Sequence, residues 1–302
     1  MCLMVEIQLR VGAFTPSVVV DVARRSGRLS RAGIDLLETP VASSPAQFRS
    51  LERGEIDVAI TSPDNVLAYR FLSSNPLGRN LSVAILAALD RGLGLSICLS
   101  PEITSIEDVR GKSVGVDVPD SGFAFVAYAL LERAGLEPGE YSVEALGSTP
   151  LRASALAESR CAATVLGAGN ELRAQAKGCN IVAPVTDLGP YIGSVLAASE
   201  SNDRTIRDGR RRFAGVLLET AQEIMEGGRE AEVVESAMVI LNLTESEAQA
   251  HYRRVLAPST GLIPDGVADR ESIAVLLELR RRYLPTPQLD RLEDEYSSIF
   301  SR

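Results

Sequence analysis

The chain has few of the residues that build metal centres: its only histidine is His251, and its four cysteines (Cys2, Cys98, Cys161 and Cys179) form no C-x-x-C pair. Zinc sites need clustered histidine or cysteine at set spacings, so no metal site is argued. Cys98 and Cys161 fall inside apolar runs and read as small buried hydrophobes. A basic excess is missing too. Lysine and arginine number 31 against 40 aspartates and glutamates, a formal net charge of −9. A phosphate backbone calls for a concentrated basic face, and the one arginine knot, Asp208-Gly-Arg-Arg-Arg212, reads as a solvated helix face; no nucleic-acid partner is expected. No run approaches the roughly 20 apolar residues of a membrane-spanning helix.

Nucleotide and hydrolase motifs fail on inspection. Gly111-Lys112-Ser113 has Ile106 where the first glycine of a phosphate loop belongs. Gly92-Leu-Gly94 and Gly167-Ala-Gly169 place Ile97 and Leu172 where the third glycine of a dinucleotide fingerprint is required. Gly111-Lys-Ser113-Val-Gly115 has the letters of G-x-S-x-G, but its serine opens the strand Ser113 to Val116 instead of standing on a strand-to-helix turn. A Ser-His-Asp site would have to use His251, whose neighbours Gln249, Arg253 and Arg254 mark it as an exposed, dispensable helix residue. The first stretch, MCLMVEIQLRVGAF, lacks the basic and long apolar regions of a signal peptide. As written, the chain is expected in the cytoplasm; a signal sequence lying outside it would make the protein periplasmic or surface-bound.

What is present is a globular balance, 45% apolar and 24% charged over 302 residues, enough for two lobes with sizeable cores. Val5 to Val11 alternates as a strand, and helical spacing follows from Val18 to Gly27. Strand Ile34 to Glu38, a helix opened by Ser44-Pro45, strand Val58 to Ile60 and a helix from Val66 come next. Two apolar runs, Ser82 to Ala88 and Leu93 to Leu99, flank Asp90-Arg91-Gly92 and suggest a crossing between lobes. Pro150 to Gln175 lays over Ala46 to Arg70 as helix, polar turn, strand, loop, helix, so this unit occurs twice. After Ile206 the pattern is helical: Ile206 to Met225, Glu230 to Leu241, Glu245 to Tyr252 and Asp269 to Tyr283. Thr244 and Glu247 form a capping-box pattern.

Four segments in order resemble the type 2 periplasmic solute-binding proteins of ABC importers, in the branch of alkanesulfonate, taurine and thiamine-precursor binders. They are LERGEIDVAITSPDN, IEDVRGKSVGVDVPDSGFAFVAYALLERAGL, Asp187-Leu-Gly-Pro-Tyr-Ile-Gly-Ser194 and GLIPDGVADRESIAVLLELRRRY. The resemblance covers nearly the whole chain. It implies an α/β clamshell of two lobes with mixed, mainly parallel sheets and a helical C-terminal segment. Residues 1–89 and 192–302 would form the first lobe, with the C-terminal helices packed on it, and residues 90–191 the second. It implies binding of a small anionic organic molecule between the lobes, no cofactor, and an ABC permease as partner if the chain is exported. As written, the sequence shows no export signal, where the resemblance would lead one to expect it. The same fold serves cytosolic lyases, among them a chorismate dehydratase and dihydroxyphthalate decarboxylases, so a lyase is the alternative and enzyme activity stays open.

In such sheets the loops at carboxyl strand ends face the cleft. That makes Phe14, Thr15 and Ser17 candidates after the first strand, and Thr61, Ser62 and Asn65 after the third. Gly167 and Asn170 hold the corresponding place in the second copy. Ser121, Gly122 and Phe123 begin a helix whose free N–H groups favour an anion, and Ser148 and Thr149 do the same nearby, with ordinary N-capping as the other reading. Arg91 offers a guanidinium fork for a carboxylate or sulfonate, against which stands a hinge ion pair with Asp90. Phe14, Phe123 and Tyr191 serve as aromatic walls or as core packing. For a lyase the available carboxylates are Asp64, Asp90, Asp120 and Glu171.

Overall fold

The computed structural model describes residues 6–201, 203–289 and 292; Cys2 lies outside them. Alternation in β1 (Ile7–Ala13) buries one face, and Ser17 caps α1 (Val18–Arg25) by accepting from the Val20 amide. Then come α2 (Arg28–Arg31), β2 (Ile34–Pro40), α3 (Ser44–Glu52), β3 (Val58–Thr61) and α4 (Pro63–Phe71). A proline suits the first turn of a helix, where its missing N–H has no partner to lose, so α4 starts at Pro63 rather than at Val66. The two apolar runs form β4 (Val83–Asp90) and β5 (Ser96–Leu99). They are followed by β6 (Ser113–Val116), α5 (Gly122–Arg133), β7 (Ser142–Ala145), α6 (Thr149–Ala157), β8 (Ala163–Leu166), α7 (Asn170–Gln175) and β9 (Asn180–Pro184). The chain ends in β10 (Ser194–Ser199), α8 (Arg204–Met225), α9 (Glu230–Ile240), α10 (Glu245–Val255) and α11 (Arg270–Tyr283).

Two five-stranded sheets result, in the orders β2-β1-β3-β10-β4 and β7-β6-β8-β5-β9. β1 pairs in parallel with β2 and β3, and β6 in parallel with β7 and β8. β10 runs antiparallel to β3 and β4, and β5 antiparallel to β8 and β9. Each sheet is thus mixed, and the α3-β3-α4 unit of the first sheet has its counterpart in the α6-β8-α7 unit of the second. Both crossings between sheets pass one point. Gly193 donates to the Asp90 carbonyl at 2.9 Å, and a β-carbon on Gly193 would stand 2.5 Å from the Gly92 α-carbon, closer than any side chain tolerates.

One apolar cluster joins the lobes, running from the stacked Phe48 and Tyr69 through Ile192 to Phe125 and Leu277. α8 lies against β1 and β4. The expected packing of the C-terminal helices on the first lobe fails for α11, which lies along α5 of the second. The reason is the aromatic face of α5: Phe125 stacks with Tyr283 at 6.1 Å, and Glu132 accepts from Arg282 and Tyr283. The arginine knot is not a solvated face either. Arg210 is buried and donates to the Ser199 carbonyl, while Arg212 reaches the Ala32 carbonyl.

Candidate functional site

A cavity of about 150 Å³ opens between the two sheets. A space of that size takes a molecule of roughly one six-membered ring. The parallel strands aim their carboxyl ends at it, and the helices that follow start in its wall: α1, α4 and α5, capped by Ser17, Ser62 and Ser121. Each of these hydroxyls accepts from an amide of its own helix, so it has a capping bond as well as a place in the wall. Phe14, Thr15, Thr61 and Asn65 line the first-lobe side, with Asn65 donating to Thr61 at 3.0 Å. Gly122, Phe123, Thr149 and Gly167 line the other, and Asp90 sits at the crossing. The lobes are in contact here: a β-carbon on Gly122 would come within 2.5 Å of the Asp64 β-carbon.

Four candidates lie elsewhere. Arg91 pairs with Asp269 at 3.1 Å, on a partly exposed surface, and not with Asp90. Ser148 faces Ala42 of the other lobe, whose carbonyl accepts its N–H at 2.9 Å. Asn170 ties the lobes by donating to the Thr15 hydroxyl at 3.0 Å. Tyr191 is packed beneath the hinge against Gly92, 1% exposed. Of the four carboxylates weighed for a lyase, Asp64 is bound to Arg280, Glu171 to Arg254, and Asp120 is exposed. Asp90 alone of these lines the cavity. Burial pushes its carboxyl up to about 6, against the pull of the Ser194 hydroxyl and the Gly92 N–H that donate to it. Burial likewise pushes Glu171 up to about 7, opposed by Arg254.

Three titratable wall residues escape the sequence reading. Arg152 on α6 is 2% exposed and forms no ion pair among the described residues. It donates to the Gly147 carbonyl at 2.6 Å, and to the Thr149 hydroxyl and the Val165 carbonyl at 3.2 Å each. A guanidinium has five N–H groups, so donors remain for a ligand. Burial lowers its pKa to about 10, still charged at neutral pH, with Asp117 helping to hold the charge. Asp117 accepts from the Ser44 N–H at 3.2 Å through one oxygen, and its other oxygen is buried without a partner. His251, read as exposed and dispensable, is 1% exposed and stands in the cavity wall. α10 turns Ala248, His251, Tyr252 and Val255 inward together.

A signal for Arg152 was present in the internal repeat. Setting α6 on α3 and β8 on β3 places Arg152 opposite Gln47 and Val165 opposite Ile60. Gln47 is fully buried and donates to the Ile60 carbonyl at 3.0 Å, the same bond that Arg152 makes to Val165. The two lobes use one inward helix position, with a neutral amide in the first and a cation in the second.

Among the described residues no group of histidine, cysteine, aspartate and glutamate side chains could hold a metal ion, and no helix is long and apolar enough to cross a membrane. No curated protein is significantly similar in sequence. Solved structures share the fold. The alkanesulfonate-binding protein SsuA from Xanthomonas axonopodis pv. citri, bound to MOPS, superposes with a TM-score of 0.73 at 15% identity, over 94% of this chain and 96% of that one. The ligand-binding component of an ABC-type import system from Staphylococcus aureus, with zinc bound, gives 0.74 at 14% identity, over 98% and 97%. The periplasmic nitrate-binding protein NrtA from Synechocystis PCC 6803 gives 0.71 at 13%, over 97% and 88%. These likenesses establish an α/β fold of the periplasmic-binding-protein kind. The profile of one sequence family, described as NMT1/THI5 like, matches residues 17–231, more than two thirds of the chain, and the protein belongs to that family.

Proposed function

We propose that the protein binds a small organic anion between its lobes and closes on it, as the solute-binding component of an ABC importer does. The carrying observation is Arg152, a buried guanidinium with spare donors and no ion-pair partner among the described residues, at the wall of a cavity ringed by helix starts. A buried charge is costly unless something pairs with it, and an anion supplies the pairing. Asp90 and Asp117 also line the cavity, but neither forms an ion pair with Arg152: Asp90 accepts from the Ser194 hydroxyl and the Gly92 N–H, and Asp117 from the Ser44 N–H. Residues 1–89 and 192–269 would move as one lobe, and 90–191 with α11 as the other, about the crossing at Gly92 and Gly193. An ABC permease would receive the bound molecule where the chain is exported.

Two of the structural relatives, an alkanesulfonate-binding and a nitrate-binding protein, fit an anion, while the Staphylococcus aureus one holds zinc, a cation. A second reading, a lyase on the same fold, rests on Asp90, a carboxyl in the cavity whose pKa is moved towards neutrality. Incubation of the protein with a metabolite extract, followed by mass spectrometry of bound and free material, separates the two. An anion recovered unchanged, and no longer retained by Arg152→Met, supports the binder. An altered compound whose formation stops in Asp90→Asn supports the lyase. Retention of only neutral or cationic compounds would refute the anion site.

A further inference from the structure

The cavity continues past the sheets, beneath α1, α8, α9 and α10. There its wall is Val18, Leu217, Ala221, Leu241 and Val255, and the polar side chains that these helices and their ends contribute are His251 and Ser17, whose hydroxyl already caps α1. Neither ring nitrogen of His251 has a hydrogen-bond partner, although the residue is 1% exposed. A neutral imidazole carries one donor and one acceptor, and leaving both unmade in an apolar site is costly. The ring is neutral because burial and the nearby Arg254 guanidinium both disfavour its charged form, lowering its pKa to about 4. Arg254 is itself paired with Glu171, and an ammonium beside the ring would lose its water in an apolar site. Arg152 and His251 are set at different points around the end of β8: the first is bonded to Val165, and the second stands 3.5 Å from where a β-carbon on Gly169 would be. One molecule can meet both only by having an anionic group, an apolar body and a second polar group.

We infer that the apolar chamber takes the body of an amphipathic organic anion and that His251 selects, by a hydrogen bond, a ligand carrying an uncharged hydroxyl away from its anionic end. A hydroxyl is the smallest group able to serve as donor or acceptor to a neutral imidazole. The inference rests on the anion reading of Arg152 and adds the polarity and position of a second recognition point.

The test is calorimetric titration of the intact chain with butanoate, hexanoate and octanoate, the matching alkanesulfonates, and the ω-hydroxy and ω-amino derivatives of each. At one chain length or more, the hydroxy compound is expected to bind about tenfold tighter than its parent, and the amino compound more weakly than both. In His251→Leu the hydroxy compound should fall to its parent's affinity; in His251→Gln, which keeps a donor and an acceptor, part of the preference should return. The variants' melting temperatures check that each is folded. A hydroxyl preference absent at every length, or surviving in His251→Leu, overturns the role of His251 while leaving the anion site standing. Failure of every carboxylate and sulfonate to bind the unaltered protein overturns the anion reading, and this inference with it.

Discussion

Asp64 and Arg280 show how closely a single residue pair can tie this molecule. Their side chains are 1% and 2% exposed, joined by two bonds of 2.7 and 2.5 Å, with Arg280 also over the Phe125 ring and reaching the Asp120 carbonyl at 3.3 Å. Asp64 comes from α4 beside the first sheet, Arg280 from α11, and Asp120 from the loop after β6 in the second lobe, so the pair holds three segments. Removing one partner leaves a buried charge uncompensated. Asp64→Ala is expected to cost about 3–5 kcal/mol in urea unfolding, and the double change Asp64→Leu, Arg280→Met less than that. Arg91 and Asp269 provide the contrast: 32% and 39% exposed, they are screened by water. Arg91→Ala should change stability by no more than about 1 kcal/mol and leave anion affinity unaltered, whereas Arg152→Met should weaken the binding of an anion found in the cleft by about 1.5–3 kcal/mol. A loss of affinity in Arg91→Ala would return the anion site to the position read from the sequence.

At the level of elements, α10 and the strand crossings carry the local predictions. α10 opens with a capping box in which Thr244 accepts from the Glu247 N–H and Glu247 accepts from the Thr244 N–H. Thr244→Ala should cost about 1 kcal/mol by thermal or urea unfolding. At the crossing, Gly193 lies against Gly92 with no space for a methyl group. Gly193→Ala is expected to cost about 1–3 kcal/mol and to shift small-angle scattering towards a more open shape, because the two crossing backbones would have to part. An unchanged scattering profile together with unchanged stability would show that the crossing is loose.

The molecule as a whole should respond to pH through its buried titratable groups. Asp90 and Glu171 have pKa values raised to about 6 and about 7. The folded state therefore binds their protons more tightly than the unfolded one, and their contribution, present in acid, is lost as pH rises through those values. His251, lowered to about 4, acts in the opposite sense: its contribution is full above its ordinary pKa and is lost as pH falls towards 4. Unfolding measured from acid to neutral pH should show the unaltered protein losing stability relative to Glu171→Gln as pH rises from the ordinary glutamate range through 7. It should also show His251→Leu gaining relative to the unaltered protein as pH falls from 6.5 towards 4. Parallel pH curves would place these side chains in water rather than in the core.

Elements were legible in the sequence because they depend on neighbours in the chain. The cap at Ser121, the capping box at Thr244 and the repeated helix-strand-helix unit follow from local hydrogen bonding and from the spacing of apolar residues. Much of the cleft wall was legible too, since parallel strands deliver their carboxyl ends to one edge whatever the side chains. What tertiary structure decided was which charged and polar side chains lose water. Arg91 and Arg152 are both arginines beside polar turns, but Arg152 is on the face of α6 that packs on β6 and β8, while the Arg91 loop stays at the surface. His251 has arginine and glutamine for near neighbours in sequence, yet α9 and the start of α7 cover the face of α10 that carries it. Burial of a side chain is settled by segments distant in the chain, and burial is what makes a lone guanidinium or an unbonded imidazole costly.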